Sequence, residues 1–294
     1  MDAQVILSIT AGFLLDQVRA GRRPLGLIDA LIVATVTQAN VEALMRDSAL
    51  QATYSTYPAP PPDELRRPIR INALAQSLRL PFETVRRRVI RLVLLGVCRN
   101  SPEGVVVPAR RVAMPAHRQV LEAAYRRLSE LHKVLAGAGV LSGVAAPPQT
   151  APLPLRAAAR LSSEYLLRIV ALATEAFGDA VDAAIWLEVF RSNTEHDPHA
   201  ARLGAEADRS PVTAALAARR LGVPAETARR RLLGLVVEGF CLPAPGGLVV
   251  PDAALKRPSV VHLAGQNLVN LRRMYERLAA LERSAADTRM TING

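Results

Sequence analysis

Arginines are the side chains best suited to chemistry in this chain, and they cluster twice on one short pattern. The sequence Pro-x-Glu-Thr-x-Arg-Arg-Arg occupies residues 81–88 and again residues 224–231. A guanidinium group presents a planar fork of N–H donors that fits a phosphate or the acceptor edge of guanine, and a carboxylate can accept from cytosine. Residues of these types at this spacing favour recognition of a polyanion such as nucleic acid.

Patterns typical of catalysis are missing from the sequence. There is no phosphate-cradling glycine loop with lysine, no zinc-ligand set and no nucleophile motif around Ser, Cys or His. Cys98 and Cys241 sit beside apolar residues and are expected in the core, since redox sensing needs an exposed thiol of low pKa. Residues 195–199, Glu-His-Asp-Pro-His, have metal-ligand types without a third distant ligand, which favours a solvated loop. We expect no enzyme and no cofactor.

The two arginine patterns belong to an internal duplication. Residues 78–108 (copy one) align without a gap to residues 221–251 (copy two), and 16 of the 31 positions are identical. Upstream the repeat continues at a different shift, which pairs Asp29 with Asp182, Ile32 with Ile185, Val36 with Val189 and Asn40 with Asn193. We therefore predict a first domain at 1–140, a Gly/Ala/Pro linker at 141–157, a second domain at 158–286 and a frayed tail at 287–294.

Each copy is predicted to form a helix, a turn, a second helix and a small hairpin. Pro81 ends one helix and suits the first turn of the next. On the second helix Val85, Val89 and Leu92 fall on one apolar stripe, as Ala228, Leu232 and Leu235 do in copy two. The outward residues predicted are Glu83, Arg86, Arg87, Ile90 and Arg91, and in copy two Glu226, Arg229, Arg230 and Leu233. Gly96 and Gly239 are placed to end these helices before β-branched runs.

With these elements the chain resembles the winged helix-turn-helix family of bacterial transcription regulators. The Pro-x-Glu-Thr-x-Arg-Arg-Arg run is similar to the recognition helix of Crp-, MarR- and GntR-type members. The resemblance implies a mainly α fold with small β-hairpin wings, in which this helix enters the major groove of DNA. By position, the base-reading residues it implies are Glu83, Arg87, Glu226 and Arg230. Phe82 and Ala225 stand where many Crp-type helices have arginine, so no target sequence is implied.

Further basic and polar residues complete the expected DNA-binding set. On the two helices they are Thr84, Arg86, Arg88, Arg91, Thr227, Arg229 and Arg231, and after the wings Arg110, Arg111, Lys256 and Arg257. The net charge is +11 with a pI near 10.8, and the part up to Ala146 carries +8 against +3 in the remainder. The first half is therefore expected to bind polyanions more strongly. Arginine suits phosphate better than lysine, although a GC-rich genome gives the same bias.

The helices that flank the wings are expected to pack copy against copy. Residues 117–139 and 260–285 carry broad apolar faces, and exposed apolar helix faces normally mark an interface. Two copies in one chain then form an intramolecular pseudo-dimer, with self-association through the same helices as a further expectation. The alternative is that each helix covers its own domain core. Tyr54 and Tyr57, in a Pro-rich loop, are expected to pack back on their domain and not against a partner or DNA.

The sequence thus predicts a sequence-specific regulator that binds double-stranded DNA, with two recognition helices in adjacent major grooves about 34 Å apart. Two alternatives remain open: a plasmid-type replication initiator and a winged-helix scaffold that binds proteins. No apolar run approaches the ~20 residues needed to cross a bilayer, and the acidic start does not read as a signal peptide. We expect a cytoplasmic, nucleoid-associated protein without a membrane partner.

Overall fold

A computed structural model describes residues 2–22, 25–58, 60–150, 152–194 and 205–292. Within these segments the protein is mainly helical, as predicted, with two small antiparallel sheets. The helices are α1 (Ala3–Arg22), α2 (Leu27–Val41), α3 (Ser48–Thr53), α4 (Ile71–Leu78), α5 (Phe82–Leu94), α6 (Ala109–Val112), α7 (Pro115–Gly137), α8 (Leu155–Phe177), α9 (Ala180–Thr194), α10 (Ala214–Leu221), α11 (Ala225–Val237), α12 (Asp252–Leu255) and α13 (Pro258–Ile292). The strands are β1 (Arg99–Ser101), β2 (Gly104–Val106), β3 (Leu242–Ala244) and β4 (Gly247–Val249).

The chain forms two compact units, and each draws segments from both copies of the repeat. The α9 unit comprises Met1–Ala30, Ser77–Leu80 and Arg168–Val269, and the α7 unit comprises Leu31–Gln76, Pro81–Leu167 and Asn270–Gly294. Helix α1, which precedes copy one, therefore belongs with the helices and hairpin of copy two. The predicted boundary at the linker marks the repeat in the sequence, whereas the compact units are assembled across it.

The core of the α9 unit surrounds helix α9, which is buried on almost every side. A helix that is apolar all round belongs in the interior of a domain, and Trp186 and Phe190 are fully buried. The Trp186 ring stacks on Phe177 with centroids 4.6 Å apart, and its Nε1–H donates to the Phe240 carbonyl at 3.2 Å. Helix α1 packs on α9. The segment between α11 and β3 is thus tied to the same aromatic core through Phe240.

One buried carboxylate joins three elements of the α9 unit. Glu188 on α9 is fully buried, and its oxygens accept from Arg19 of α1 at 2.8 Å and from Arg220 of α10 at 3.2 Å. Arg191, one turn further along α9, is also paired with Glu188. A buried charge is costly unless it is paired and hydrogen-bonded, so removal of any one partner is expected to loosen α1 and α10 together.

In the α7 unit, flanking helices from the two copies pack on each other. The Tyr275 hydroxyl of α13 donates to the Leu128 carbonyl of α7 at 2.8 Å, and His132 meets the Tyr275 ring edge-on. From the start of α8, Arg156 donates to the Tyr57 carbonyl at 2.9 Å and lies over the Tyr57 ring at 4.8 Å. Tyr57 therefore packs back on its own unit, as the sequence predicts, and the side chain that holds it, Arg156, lies in the segment expected to be the linker.

The segment expected to be the linker contacts helix α7. The Tyr125 hydroxyl of α7 donates to the Pro148 carbonyl at 2.7 Å, so the linker lies along α7. Helix α13 continues to Ile292 and includes residues expected to be a frayed tail. The loop 195–199 lies outside the described residues, and no cluster of His, Cys, Asp and Glu suited to a metal occurs in the rest. No described helix combines the length and hydropathy that crossing a membrane requires.

Candidate nucleic-acid interface

Helices α5 and α11 present the same pattern of buried and exposed residues. Val85, Val89 and Leu92 of α5 are buried, and the outward residues predicted from the sequence are exposed. In α11 the buried residues are Ala228, Leu232 and Leu235, again as predicted. Thr84 and Thr227 are half-buried at the edge of the stripe. A stripe at this spacing fixes the rotation of each helix about its axis, so the Glu and Arg side chains face outward.

Both helices end in the same hydrogen-bonded turn. Gly96 has φ +65°, its N–H donates to the Val93 carbonyl at 2.9 Å, and the following Val97 N–H donates to the Leu92 carbonyl at 2.9 Å. Gly239, with φ +73°, makes the matching pair of bonds after α11. This is a Schellman motif, which satisfies the last carbonyls of the helix and needs a residue that tolerates the left-handed region. The predicted glycine stops are confirmed.

The hairpins follow directly and press closely on the strand-like segment before each helix pair. Strand β1 pairs with β2, and Ile69 adds an isolated bridge to Val105. Gly104 has φ +137°, and a Cβ there would lie 2.6 Å from the Ile69 carbonyl oxygen. Gly247 repeats this close approach against Val212 in copy two. Only glycine permits the approach, so both hairpins are fixed against the same face of their helix pair.

A buried asparagine holds each hairpin to the helix that precedes the pair. The Asn40 amide donates to the Arg67 carbonyl at 2.7 Å and to the Val105 carbonyl at 3.2 Å, and its Oδ1 accepts from the Val107 N–H at 2.9 Å. We call this arrangement the asparagine clamp of copy one. The clamp of copy two has Asn193 with the carbonyls of Ser210 and Leu248 and the N–H of Val250. The repeat alignment pairs these asparagines, but their role was not predicted.

The exposed carboxylate of each helix is paired with the arginines one turn later. Glu83 accepts from Arg86 through two bonds of 2.8 Å and from Arg87 Nε at 2.9 Å. Hydrogen bonds from Arg86 and then Arg87 lower the pKa of Glu83 to about 2. Glu226 and Arg229 form the corresponding two-bond pair on α11, which lowers the pKa of Glu226. The guanidinium planes are therefore oriented along the exposed face before any ligand arrives.

Arg231, expected at the DNA, is instead held by α9. Its Nη1 lies 2.7 Å from Asp179 and 2.7 Å from Asp182. Burial, followed by the charge of Asp179, raises the pKa of Asp182 to about 6, and Arg231 opposes that rise. Arg88, at the equivalent place in copy one, is half-buried as well. The third arginine of each run lies next to the buried stripe, so we place Arg231 outside the interface.

The basic residues after the hairpins fall into two groups. Arg110 and Lys256 are exposed and available to a polyanion. Arg257 is half-buried, lies 4.2 Å over the Phe240 ring and donates to the Glu238 carbonyl, so it caps the end of α11. Arg111 is also half-buried. The pKa of His117 is lowered to about 4, first by burial, then by the charge of Arg156 and then by the charge of Arg111. From the sequence, all four residues were placed in the expected DNA-binding set, and the exposed pair was not distinguished from the half-buried pair.

The two copies share the basic helix face, the glycine stop, the hairpin and the clamp. Comparison of the chain with protein-family models, with curated proteins and with solved structures finds no match. The function is therefore inferred from the contacts of this chain's own residues.

Apolar side chains are exposed on the C-terminal half of both helices. Leu94 is 82% exposed and its equivalent Val237 is 88% exposed, each one turn after a partly exposed Ile90 or Leu233. Pairs at i and i+4 lie on one face of a helix. Each helix thus has its Glu–Arg pairs in the first half and an exposed apolar pair in the second half, to which no role was assigned from the sequence.

Cys98 and Cys241 are buried, as expected. Burial raises the pKa of Cys98 to about 11 and that of Cys241 to about 12. The reactive form of cysteine is the thiolate, so these thiols are poorly suited to redox chemistry at neutral pH.

Proposed function

We propose that this chain is a sequence-specific regulator that binds double-stranded DNA through two winged helix-turn-helix domains, with α5 and α11 as recognition helices. The observation that carries the proposal is the duplicated, outward Glu–Arg face, built on the same buried stripe in both copies. Surface residues of a duplicated chain diverge unless they serve the same contact. The glutamate and the first two arginines of this face are the same in both copies, whereas Phe82, Ile90 and Arg91 correspond to Ala225, Leu233 and Gly234.

The position of the charges along the helices supports the proposal. Glu83, Arg86 and Arg87 lie in the first two turns of α5, and in helix-turn-helix proteins the N-terminal residues of the recognition helix contact base edges. In the free chain Glu83 holds both arginines. On DNA, the guanidinium groups would exchange that carboxylate for guanine or phosphate oxygens, and Glu83 would accept from cytosine. Because the Glu–Arg pairs already order the arginine side chains in the free chain, less side-chain conformational entropy is lost on binding.

The two copies are expected to read different half-sites with different strength. Arg91 adds a positive charge to the exposed face of α5 where α11 has Gly234. Arg231 is bound to Asp179 and Asp182, which leaves α11 with less charge for phosphate. Flanking helices of one copy pack on those of the other within the α7 unit, which supports a covalent pseudo-dimer. We therefore expect a non-palindromic DNA site in which the half-site bound by copy one contributes more of the affinity.

The test begins with selection of genomic DNA fragments by the purified chain at about 0.15 M salt, where nonspecific phosphate binding is weakened. Footprinting of the enriched fragment should show two half-sites upstream of a gene. Repeated sites at an origin would favour the replication initiator. No enrichment, despite salt-sensitive binding to all DNA, would refute sequence-specific regulation.

A matched pair of variants then locates the contact. Arg87→Ala together with Arg230→Ala should weaken specific binding by about 1–3 kcal/mol for each lost base contact. Arg46→Ala is the control: Arg46 pairs with Glu42 at i,i+4 and is 77% exposed, against 76% for Arg87 and its pair with Glu83. The control loses one charge and one i,i+4 pair, so it is matched to the Arg87→Ala part of the double variant. Equal affinity of the double variant and the control would remove α5 and α11 from the interface.

The exposed apolar pairs favour a second candidate, a winged-helix scaffold that binds proteins. Ile90 with Leu94, and Leu233 with Val237, are apolar contacts of the kind found at the core of protein interfaces. Leu94→Ser with Val237→Ser should leave DNA affinity unchanged and abolish any self-association seen by sedimentation at micromolar concentration. Self-association that survives in this variant would exclude these pairs as the contact between chains.

A further inference from the structure

Copy two contains a cleft between its second helix and its hairpin, with a volume of about 350 Å³. Leu232, Leu233 and Val236 of α11 form one wall, Pro243 and Leu248 of the hairpin form the other, and Ala214 of α10 forms the floor. All of these residues belong to the α9 unit. The asparagine clamp and Gly247 fix the hairpin against Val212, so the hairpin side of the cleft is held in place.

Sequence differences between the copies explain why the space opens in copy two. Ala214 stands where copy one has Ile71, and Gly246 stands where copy one has Glu103. Gly104 and Val105 of copy one are buried, whereas the equivalent Gly247 and Leu248 of copy two are half-exposed. Smaller side chains at the floor and rim therefore uncover the inner face of the hairpin. The equivalent hairpin surface is thus buried in copy one and half-exposed in copy two.

The lining defines the chemistry of an occupant. Its surface is almost entirely apolar, and the one charged residue that reaches it, Arg229, is neutralised through two hydrogen bonds to Glu226. An almost wholly apolar lining stabilises an uncharged apolar group through burial and offers few partners to a polar one. The volume is at the low end of the roughly 300–1,000 Å³ typical of small-molecule pockets.

We propose that this cleft binds a small, uncharged aromatic or branched aliphatic compound, and that its occupancy opposes DNA binding by copy two. The first part stands on the cleft alone. The second part rests on the proposed function, because Arg229 and Leu233 line the cleft and also lie on the outward face of α11. A ligand in contact with both would cover the part of α11 that approaches the major groove. Copy one, with Ile71 in place of Ala214, would continue to bind its half-site.

The probe for the first part is N-phenyl-1-naphthylamine, an uncharged aromatic amine whose fluorescence rises in apolar surroundings. Titration into the full chain should show saturable binding of one molecule per chain. Ala214→Ile, which introduces the residue of copy one at the floor, should weaken binding at least tenfold. Pro243→Asn, which introduces the copy-one residue at the exposed wall, should weaken it without demanding a change in the core.

Ala215→Ile is the matched control, because Ala215 is exposed on α10 beside the floor residue and does not line the cleft. This variant should bind the probe as the unaltered chain does, and circular dichroism should show the same helix content in all four proteins. Absence of saturable binding would overturn the cleft as a ligand site. So would equal probe affinity in Pro243→Asn, Ala214→Ile and the control.

The second part is tested by adding the selected DNA fragment to the chain with bound probe. Displacement of the probe, together with a footprint that loses only the weaker half-site at saturating probe, is expected. Probe that is sensitive to Ala214→Ile but stays bound on DNA would overturn the competition and leave the cleft as a ligand site. A chain that binds the probe in the cleft but selects no DNA would overturn the proposed function alone.

Discussion

The asparagine clamp of copy one allows the attachment of the hairpin to be measured directly. Asn40→Ala removes three hydrogen bonds from a side chain that is fully buried. The Val105 carbonyl keeps a bond from the Ile69 N–H at 3.1 Å, and the Arg67 backbone is near solvent. The buried Val107 N–H, which donates to Asn40 Oδ1, is left without that acceptor. An orphaned buried donor costs about 1–3 kcal/mol and a lost neutral bond about 0.5–1.5 kcal/mol, which gives about 2–4 kcal/mol in all.

The assay is urea unfolding followed by circular dichroism, with amide hydrogen exchange at Val107 as a local reporter. Asn100→Ala is the control, since Asn100 lies exposed on β1 and its loss should change the unfolding free energy by less than about 0.5 kcal/mol. Asn193→Ala should cost as much as Asn40→Ala, because its three partners are equivalent. A cost below about 1 kcal/mol for Asn40→Ala, with exchange at Val107 still slow, would refute the clamp.

Three further outcomes are expected. Arg79 has φ +48° where copy two has Gly222 at +62°, so Arg79→Gly should raise stability by about 1 kcal/mol in thermal unfolding, given that its exposed ion pair contributes little. The pKa of Asp182 is raised from 3.8 to about 6, so its contribution to stability is full below pH 4 and falls as pH rises to 6; Asp182→Asn should remove that part of the pH profile. Cys98 and Cys241 should react with a thiol reagent at pH 8 only after unfolding, and rapid labelling of the native chain would contradict their burial.

Periodicity alone was enough to predict the outward face of α5. Val85, Val89 and Leu92 are spaced by one helical turn, so only one rotation of the helix buries all three. Arg231 was included in the expected DNA-binding set because it belongs to an unbroken run of three arginines, and the structure pairs it with Asp179 and Asp182. Its place three residues after the buried Ala228 puts it at the edge of the stripe, which is the signal that distinguishes it from Arg230.

Other parts of the site depend on backbone atoms or on empty space, which the residue types in the sequence do not reveal. The partners of Asn40 are backbone atoms, one of them 65 positions away, and every residue supplies such atoms. The cleft of copy two is lined by Ala214 and Gly246, two small residues whose types do not predict a cavity without the positions of their neighbours. The grouping of α1 with α9 also escapes sequence reasoning, because an amphipathic helix fits either copy of a duplicated partner.

Each unit is assembled from segments that lie far apart in the sequence, and this affects folding during synthesis. Helix α1 leaves the ribosome before the helix it packs on, α9, which is completed about 170 residues later; at ~5–20 residues per second this is a delay of roughly 9–34 s. During that interval Val5, Ile6, Leu7 and Leu14, all buried in the finished protein, have no partner from the α9 unit. The nascent chain therefore exposes an apolar helix that a chaperone can hold, and a product stopped at the linker leaves that helix unpaired.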